Sequence, residues 1–303
     1  MLGRIVGAVR FREPLSFHTA LHIGGPADFF IEPQDLDDVR YALAFADRDA
    51  LPVTTIGAGN NLLVADRGIP GVVLKLQGVF ARMEFHGDEA MVGAGVNLGA
   101  FIRAAAARGL GGLEHLAGIP GTLGGALAMN VRAQEGSLIA ACERVYFLHP
   151  DGTIGEIRTA AGGFELPAGS VIFGCRMNLS RRPLAQIQKE IHRRRQLKRA
   201  TEPVALASAG YVWRNPSSLE TAAQLIASVG LRGKRVKNIE ISSKCPNFIV
   251  SRGHATASDV LAVMELTRDR VAARSGVTLQ AKIRTFGLDT APFASPRPEL
   301  VTA

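Results

Sequence analysis

Two glycine-rich segments contain the residue types that binding a phosphate group requires. The first, Gly57–Leu62, reads GAGNNL and follows a run that predicts a β-strand. Small residues allow successive backbone N–H groups to point into one concavity, where they can hold a phosphate. The spacing is not the dinucleotide pattern GxGxxG, because Leu62 occupies the third glycine position, and no Walker GK[ST] follows. Taken alone, such a segment is more often a structural turn.

The second segment, Ala117–Ala126, is more unusual. It holds four glycines and one proline within AGIPGTLGGA. This composition predicts a rigid loop with exposed amides, suited to the close approach of a large flat or phosphorylated ligand. The alternative is tight helix packing on small residues. Two such loops in one region favour a bound cofactor, whose identity the composition does not determine.

Composition and charge exclude several classes of protein. The chain has 303 residues, of which 47% are hydrophobic and 20% charged. These values are typical of globular proteins and exclude intrinsic disorder, collagen and a coiled-coil rod. The net charge of +8 is compatible with nucleic acid, an anionic membrane or an anionic small molecule as partner, and does not choose among them.

The cysteines and the N-terminus predict a cytoplasmic protein without metal. Cys142, Cys175 and Cys245 are widely spaced and form no CxxC pair, which argues against a disulfide framework and structural zinc. His18 and His22 lack a third ligand. The N-terminus has no signal-peptide apolar region, and no apolar run reaches the roughly 18 residues that span a bilayer.

Short apolar runs alternate with helical patterns and predict a mixed α/β or α+β chain. Arg181–Arg199 holds eight Lys/Arg and one acid, and its apolar residues predict a basic amphipathic helix. Thr201–Pro216 has the composition of a loop. The predicted strands are Ala27–Ile31, Pro52–Ile56, Val72–Leu76, Glu89–Val92, Arg144–Leu148 and Phe248–Val250, and the other predicted helices are Leu36–Ala50, Leu98–Arg108, Ala222–Val229 and Ala257–Ala273.

A series of motifs carries a family resemblance. In chain order they are HT at His18–Thr19, IGGPA at Ile23–Ala27, GAGNNLLV at Gly57–Val64, GLGGLEHLAGIPGTLGGALAMN at Gly109–Asn130, SAGYVWRNP at Ser208–Pro216, GLRG at Gly230–Gly233, NFIV at Asn247–Val250 and KIRTFG at Lys282–Gly287. The chain resembles the UDP-N-acetylenolpyruvoylglucosamine reductase family over about residues 11–287. The segment AGIPGTLGGALAMN is the most specific part of the match.

The resemblance implies a fold and a cofactor. The implied fold is α+β, with a two-lobed FAD-binding domain of the vanillyl-alcohol-oxidase type at 11–182 and a C-terminal α+β substrate domain at 183–287. Residues 288–303 would be a disordered tail. A long insertion found in some members has no room here, so the short subtype fits. The implied cofactor is FAD, with NADPH as hydride donor, and the implied FAD-binding residues are Gly57, Ala58, Gly59, Asn60, Asn61, Leu62, Gly118, Ile119, Pro120, Gly121, Thr122, Gly124, Gly125 and Asn130.

The implied reaction reduces the enolpyruvyl C=C of a UDP-sugar to give UDP-N-acetylmuramate for peptidoglycan. The family uses a Ser as proton donor at C2, with a Glu and an Arg that stabilise the enolate. This chain has Tyr211 at the Ser position and Lys282 at the Glu position, and Pro167 lies nearest to the Arg position in a shortened segment. Tyr211 and Lys282 are therefore the candidate catalytic residues, both altered.

The substrate-binding positions are better preserved. Asn215 matches the family's substrate Asn, and Arg232 matches a Lys that contacts the UDP phosphates. Arg199 lies at the ungapped position of another basic substrate residue. An Arg in place of a Lys keeps the charge and can bind a phosphate through two hydrogen bonds. The anion-binding face is therefore predicted to persist where the proton-transfer residues do not.

Two accounts of these departures stay open. In the first, Tyr211 donates the proton and Lys282 pairs with the enolate, so that the family reaction continues. In the second, the reaction is lost, and the protein is a flavin oxidoreductase on another anionic substrate or a non-catalytic flavin or sugar-nucleotide binder. The basic helix carries no interleaved aromatics and no RNA-module motif, so we expect no nucleic acid as partner. We also expect a monomer that does not bind a membrane.

Overall fold

Three main β-sheets and six α-helices organise the part of the chain that the structure describes. A computed structural model describes residues 2–133, 135–160, 163–217 and 219–288. The predicted disorder of residues 288–303 lies, apart from Leu288, outside the described residues. The helices are α1 (Leu36–Arg48), α2 (Leu98–Ala106), α3 (Leu123–Ala128), α4 (Leu184–Thr201), α5 (Ala222–Ser228) and α6 (Ala257–Ser275).

The strands alternate with these helices in a mixed order. They are β1 (Ala8–Pro14), β2 (Pro26–Glu32), β3 (Val53–Thr55), β4 (Leu62–Val64), β5 (Ile69–Leu74), β6 (Met83–His86), β7 (Glu89–Gly93), β8 (Leu110–Gly111), β9 (Arg132–Ala133), β10 (Gly136–Ser137), β11 (Cys142–Leu148), β12 (Ile154–Arg158), β13 (Val171–Asn178), β14 (Ser180–Arg181), β15 (Ser208–Tyr211), β16 (Arg235–Val236), β17 (Ile239–Ile241), β18 (Phe248–Ser251) and β19 (Arg284–Phe286).

The first lobe is a four-stranded mixed sheet in the order β1-β2-β5-β3. Strands β2, β5 and β3 are parallel, and β1 pairs antiparallel with β2. Helix α1 begins at Asp35, whose carboxylate caps the helix by accepting from the Asp38 N–H. Its apolar residues Val39 and Leu43 are buried in the core that the sheet residue Val72 also joins.

The second lobe is a five-stranded antiparallel sheet in the order β12-β11-β13-β7-β6. Helices α2 and α3 begin at side-chain caps, Asn97 and Thr122, which accept from the backbone N–H groups of Ala100 and Gly125. Buried residues of this lobe and of helix α1 form one continuous core. The two lobes therefore pack as a unit.

The C-terminal part has its own sheet and core. The sheet order is β15-β18-β17-β16, all antiparallel. Helices α5 and α6 begin with capping boxes at Thr221 and Thr256. Their apolar faces form a separate core with this sheet, which includes Trp213. Helix α4 connects the two parts and buries Ile187, while its first residue, Leu184, is left exposed.

The chain returns to the first lobe at its end. Strand β19 pairs in parallel with β4, so that Arg284 lies opposite Leu62. Asp66, two residues after β4, accepts hydrogen bonds from the backbone N–H groups of Ala257 and Ser258 at the start of α6. These contacts hold the C-terminal part against the segment that follows the first glycine-rich loop.

Most predicted elements are confirmed, with ends shifted by a few residues. The prediction of a loop over Thr201–Pro216 is wrong, because residues 208–211 form β15. The composition of this segment has no strand pattern. Its strand is stabilised by pairing with β18, in which Tyr211 lies opposite Phe248, and such a distant partner leaves no local signal.

Candidate active site

The two glycine-rich loops lie against each other. A Cβ built on Gly57 would stand 2.4 Å from Thr122 Oγ1 and 3.8 Å from Gly125 Cα. A Cβ on Gly59, where φ is +68°, would stand 2.1 Å from the backbone oxygen of His18. A side chain at Gly57 would force the loops apart, and one at Gly59 would clash with the backbone of His18 and Thr19. The structure therefore brings together the two segments that the sequence singled out.

The facing loops offer a group of uncommitted amides. Within the described residues, the backbone N–H groups of 57–61, 118, 121 and 122 donate no hydrogen bond to the protein. Residues 58 and 118 are exposed, and the others are buried or half-buried. Buried or half-buried amides without partners are uncommon in proteins unless a ligand or water meets them. Clustered backbone N–H groups are the donors that a diphosphate requires. The residues present thus fit the diphosphate of a dinucleotide such as FAD.

Some of the predicted cofactor residues serve the protein's own packing. The Gly124 N–H donates to the Ala94 oxygen, and a Cβ at Gly124 would lie 2.7 Å from Ala94 Cβ. Leu62 belongs to β4 and packs against the small core of the first lobe. The Ile119 N–H donates to the Leu116 oxygen. At Gly124 the structure therefore shows tight packing on a small residue, which was the alternative to cofactor binding.

The end of the second loop has an unusual backbone conformation. Asn130 has φ of +42°, a conformation that Asn adopts more readily than most residues. Its side-chain oxygen accepts from the Arg132 guanidinium when the amide is oriented to satisfy both groups. Asn61 Nδ2 lies 3.9 Å from Met129 Sδ. Asn61 and Asn130 therefore lie near the point where the two loops converge.

Both altered catalytic positions lie beside these loops. Asn61 Nδ2 donates to the Lys282 backbone oxygen at 3.0 Å. A Cβ on Gly210, the neighbour of Tyr211, would be 3.5 Å from the Asn60 oxygen. On the second loop, a Cβ on Gly118 would meet Lys198 Cδ at 3.0 Å. The two loops and the C-terminal part therefore share one border.

A buried carboxylate organises this border. Glu202, only 8% exposed, accepts from Lys198 Nζ at 2.8 and 3.1 Å and from the Tyr211 hydroxyl at 3.0 Å. Burial, followed by the charge of Glu202, raises the pKa of Tyr211 well above its usual range. The Tyr211 ring also packs edge-on against Phe248, with ring centroids 4.7 Å apart. Tyr211 is therefore held as a neutral phenol with its proton on the Glu202 side.

Lys282 sits above the same tyrosine. Its Nζ lies 5.4 Å from the centroid of the Tyr211 ring, within the range of a cation–π contact. The side chain retains access to solvent, yet protein atoms crowd it. Burial by these atoms, followed by the positive charges of Arg214 and Lys198, lowers the pKa of Lys282, and the negative charge of Glu202 opposes this shift. The residue is a cation placed among other cations.

The predicted substrate residues lie on the C-terminal part around this border. The Arg232 guanidinium donates to the backbone oxygens of Ser243 and Lys244, and Lys244 Nζ donates to the Arg199 oxygen at 2.7 Å. These contacts connect the segments that carry Arg232 and Arg199. Asn215 Oδ1 accepts from the Ala222 N–H at the start of α5, so this side chain also has a structural partner.

Sequence reasoning missed Glu202, Lys198 and Arg214. Glu202 stands at the end of a basic helix and forms an i, i+4 pair with Lys198. That spacing was visible in the sequence, but only the fold shows that Tyr211 completes the cluster. Within the described residues, no group of three or more potential ligands among His, Cys, Asp and Glu is positioned to hold a metal. The three cysteines are free, and no described helix is long and apolar enough to cross a membrane.

The two-lobed domain, its facing glycine loops and the cationic border define a nucleotide-cofactor protein with a separate C-terminal domain. Comparison with known proteins agrees. Residues 27–158 match the FAD binding domain family, and residues 202–286 match the C-terminal domain of UDP-N-acetylenolpyruvoylglucosamine reductase. The chain belongs to the UDP-N-acetylenolpyruvoylglucosamine reductase family, which confirms the resemblance and the two-lobed α+β fold.

Individual relatives cover nearly the whole chain. UDP-N-acetylenolpyruvoylglucosamine reductase 2 of Symbiobacterium thermophilum is 39% identical over 288 residues, which cover 93% of each chain. The reductase of Pelobacter propionicus is 38% identical over 281 residues, covering 91% of this chain and 94% of the relative. The crystal structure of the Thermus caldophilus reductase (MurB) is 31% identical, with a TM-score of 0.80, and the match covers 92% of this chain and 99% of that one.

Proposed function

We propose that the protein catalyses the FAD-dependent, NADPH-using reduction of UDP-N-acetylglucosamine-enolpyruvate to UDP-N-acetylmuramate, a step of peptidoglycan precursor synthesis. The observation that carries the proposal is the border between the two glycine loops and the cluster of Lys198, Arg214 and Lys282. A substrate with a diphosphate and a carboxylate needs cations at the place where it meets the cofactor. Membership of the reductase family supports this reading.

The cofactor assignment is supported by the facing loops. FAD would be held by the uncommitted amides of residues 57–61 on the first loop and of 118, 121 and 122 on the second. When bound, the flavin supplies the hydride that NADPH delivers to it. The protein's part is to fix the diphosphate and to present the substrate, and the close contact between Gly57 and Thr122 keeps the two loops at a constant separation.

The substrate assignment follows the family positions. Arg232 and Arg199 would bind the UDP phosphates, and Asn215 would contact the sugar nucleotide. The contacts of Arg232 and Lys244 with neighbouring backbone oxygens leave each cation further N–H donors for phosphate oxygens. The proposed domains are an FAD-binding domain at 11–182 and a substrate-binding domain at 183–287. The whole protein is proposed to be a cytoplasmic monomer that binds neither nucleic acid nor a membrane.

The reaction requires a proton as well as a hydride. Hydride addition to C3 of the enolpyruvyl group leaves negative charge at C2 and on the carboxylate, and C2 must then be protonated. In this chain Tyr211 and Lys282 occupy the positions at which the family places its acid and one stabilising residue. We propose that this pair, with Arg214 and Lys198 nearby, performs proton transfer and charge stabilisation.

The test is NADPH oxidation by the FAD-loaded protein with and without the enolpyruvyl substrate. The proposal predicts that the substrate increases NADPH oxidation and that UDP-N-acetylmuramate forms in equal amount to the NADPH consumed. A protein that keeps FAD but shows no stimulation would contradict the proposal. Such a result would favour the second account of the replaced family residues, in which the protein is a flavin oxidoreductase on another anionic substrate or a non-catalytic binder.

A further inference from the structure

We propose that Lys282, and not Tyr211, donates the proton to C2 of the substrate, while Glu202 holds the Tyr211 hydroxyl as a positioning group. This inference rests on the proposed reduction and assigns its proton-transfer step. The observation that supports the proposal is a cluster of four side chains. Lys198 and the Tyr211 hydroxyl both contact Glu202, and Nζ of the fourth residue, Lys282, lies over the Tyr211 ring.

The phenolic proton of Tyr211 is already engaged. It is donated to Glu202, which is buried and held on its other side by Lys198. Transfer of this proton to a substrate would break that hydrogen bond and leave a phenolate beside a carboxylate. Two negative charges at hydrogen-bond distance in a partly buried site repel each other strongly. The loss of the Tyr211 proton is therefore unfavourable in this arrangement.

Lys282 has the opposite electrostatic balance. It lies among Arg214 and Lys198, so that losing a proton removes repulsion instead of creating it. Among the described groups that face it, the charge of Glu202 and the Tyr211 ring favour its charged form. An acid whose pKa is lowered towards neutrality from the ordinary lysine range is a more effective proton donor at physiological pH.

The position of Lys282 is fixed by its backbone. Its N–H donates to the Val212 oxygen at 2.7 Å, and its own oxygen accepts from Asn61 Nδ2 at 3.0 Å. Asn61 belongs to the first glycine loop, so Lys282 is tied directly to the cofactor cradle. The ring of Tyr211 supports the ammonium from below, and Glu202 orients that ring. Tyr211 therefore acts on the reaction through Lys282.

The proton-transfer step balances as follows. Bound FAD would supply the hydride that adds to C3, and the electron pair of the former C=C bond then resides at C2 and on the carboxylate. That pair forms the new C2–H bond with a proton from Lys282 Nζ. The N–H bond breaks, its electrons stay on nitrogen as the lone pair of a neutral amine, and solvent returns the proton to Lys282 before the next turnover.

The test compares Lys282→Arg, Lys282→Gln and Tyr211→Phe in the FAD-loaded protein. Arginine keeps the positive charge and the contact with the Tyr211 ring but does not release a proton at accessible pH. The matched control is Lys189→Gln, which removes an exposed lysine of α4. Two rates are measured anaerobically for each protein: reduction of the flavin by NADPH, and reoxidation of the reduced flavin by UDP-N-acetylglucosamine-enolpyruvate, over a range of pH.

We expect Lys282→Arg and Lys282→Gln to slow substrate-dependent reoxidation by about 10²–10⁴-fold, the usual contribution of a general acid. Flavin reduction by NADPH is compared with that of Lys189→Gln, and the bound-flavin absorbance spectrum and thermal unfolding of each variant should match the wild type, which shows that the variants are folded and hold FAD. The wild-type rate should fall as pH rises and the ammonium deprotonates, and this fall should be absent from both Lys282 variants. Tyr211→Phe should slow reoxidation by less than about tenfold and keep the pH dependence.

Near-wild-type reoxidation by Lys282→Arg would overturn the inference and return Lys282 to a purely electrostatic role. A loss of the pH dependence in Tyr211→Phe would also overturn it and assign the proton to Tyr211. Failure of the wild-type protein to be reoxidised by the substrate is a different result, because it would contradict the proposed function itself.

Discussion

The contact between the two glycine loops makes Gly57→Ala a direct perturbation of the cofactor cradle. Gly57 has no positive φ, so alanine fits the backbone, and the nearest described atom to its new Cβ belongs to Thr122. The new Cβ would lie 2.4 Å from Thr122 Oγ1. The loops must separate by about 1 Å to restore ordinary van der Waals contact. Overpacking of this kind costs about 1–3 kcal/mol.

That cost falls on FAD binding because the same loops carry the uncommitted amides. At 1.4 kcal/mol per tenfold change in affinity, Gly57→Ala should raise the Kd for FAD by roughly ten- to hundredfold. The assay is titration of the apoprotein with FAD, followed by flavin fluorescence, with thermal unfolding of the apoprotein in parallel. The matched control is Gly3→Ala, because a Cβ at Gly3 meets nothing within 4 Å.

A second substitution tests whether Thr122 is the cause. Thr122→Gly removes the obstacle at the cost of only a few tenths of a kcal/mol in helix capping. The double variant Gly57→Ala/Thr122→Gly should therefore bind FAD nearly as tightly as Thr122→Gly alone, a strong coupling between the two sites. A Kd for Gly57→Ala within twofold of the wild type would refute the reasoning, as would additive effects in the double variant.

Two further substitutions test the cluster and the interface between the parts. Burial, followed by the charge of Glu202, raises the pKa of Tyr211, and Glu202→Gln keeps the size of the side chain but removes that charge. Tyrosinate absorbance should therefore appear at lower pH than in the wild type, with Tyr211→Phe used to assign the signal, and an unchanged titration would contradict the cluster. Asp66→Ala removes three hydrogen bonds at the start of α6 and should lower the free energy of unfolding by about 1–2 kcal/mol in urea denaturation. The exposed Asp47→Ala serves as its control, and equal stability of the two variants would contradict the role of Asp66.

The fold was largely predictable because its local signals agree with its tertiary contacts. Short apolar runs predicted the strands at Ala27–Ile31 and Arg144–Leu148, which the structure shows. The predicted helices Leu36–Ala50 and Leu98–Arg108 begin in the structure at the side-chain caps of Asp35 and Asn97. Several strands are absent from the predicted set, among them β1, β12 and β13. Strands β15 and β19 were also missed. These two are short and depend on a distant partner, β18 for one and β4 for the other, and pairing across the chain has no local signature.

The site was predictable in its parts but not in its connections. The glycine loops were found from composition, and Tyr211 and Lys282 from their places in family motifs. Neither signal shows that the Tyr211 hydroxyl meets Glu202 or that Lys282 lies over the Tyr211 ring. Those contacts depend on β15, on the end of α4 and on the segment before β19 meeting at one border. A residue such as Glu202 has no distinguishing signal in the sequence, and it gains a role only because the fold brings these three segments together.

The most direct test of the central claim is a single-turnover experiment. The FAD-loaded protein is reduced with one equivalent of NADPH under anaerobic conditions and mixed with UDP-N-acetylglucosamine-enolpyruvate, and the flavin absorbance is followed. We predict complete flavin reoxidation, with one UDP-N-acetylmuramate formed per flavin. A flavin that stays reduced in the presence of saturating substrate would contradict the claim that this border is a reductase active site.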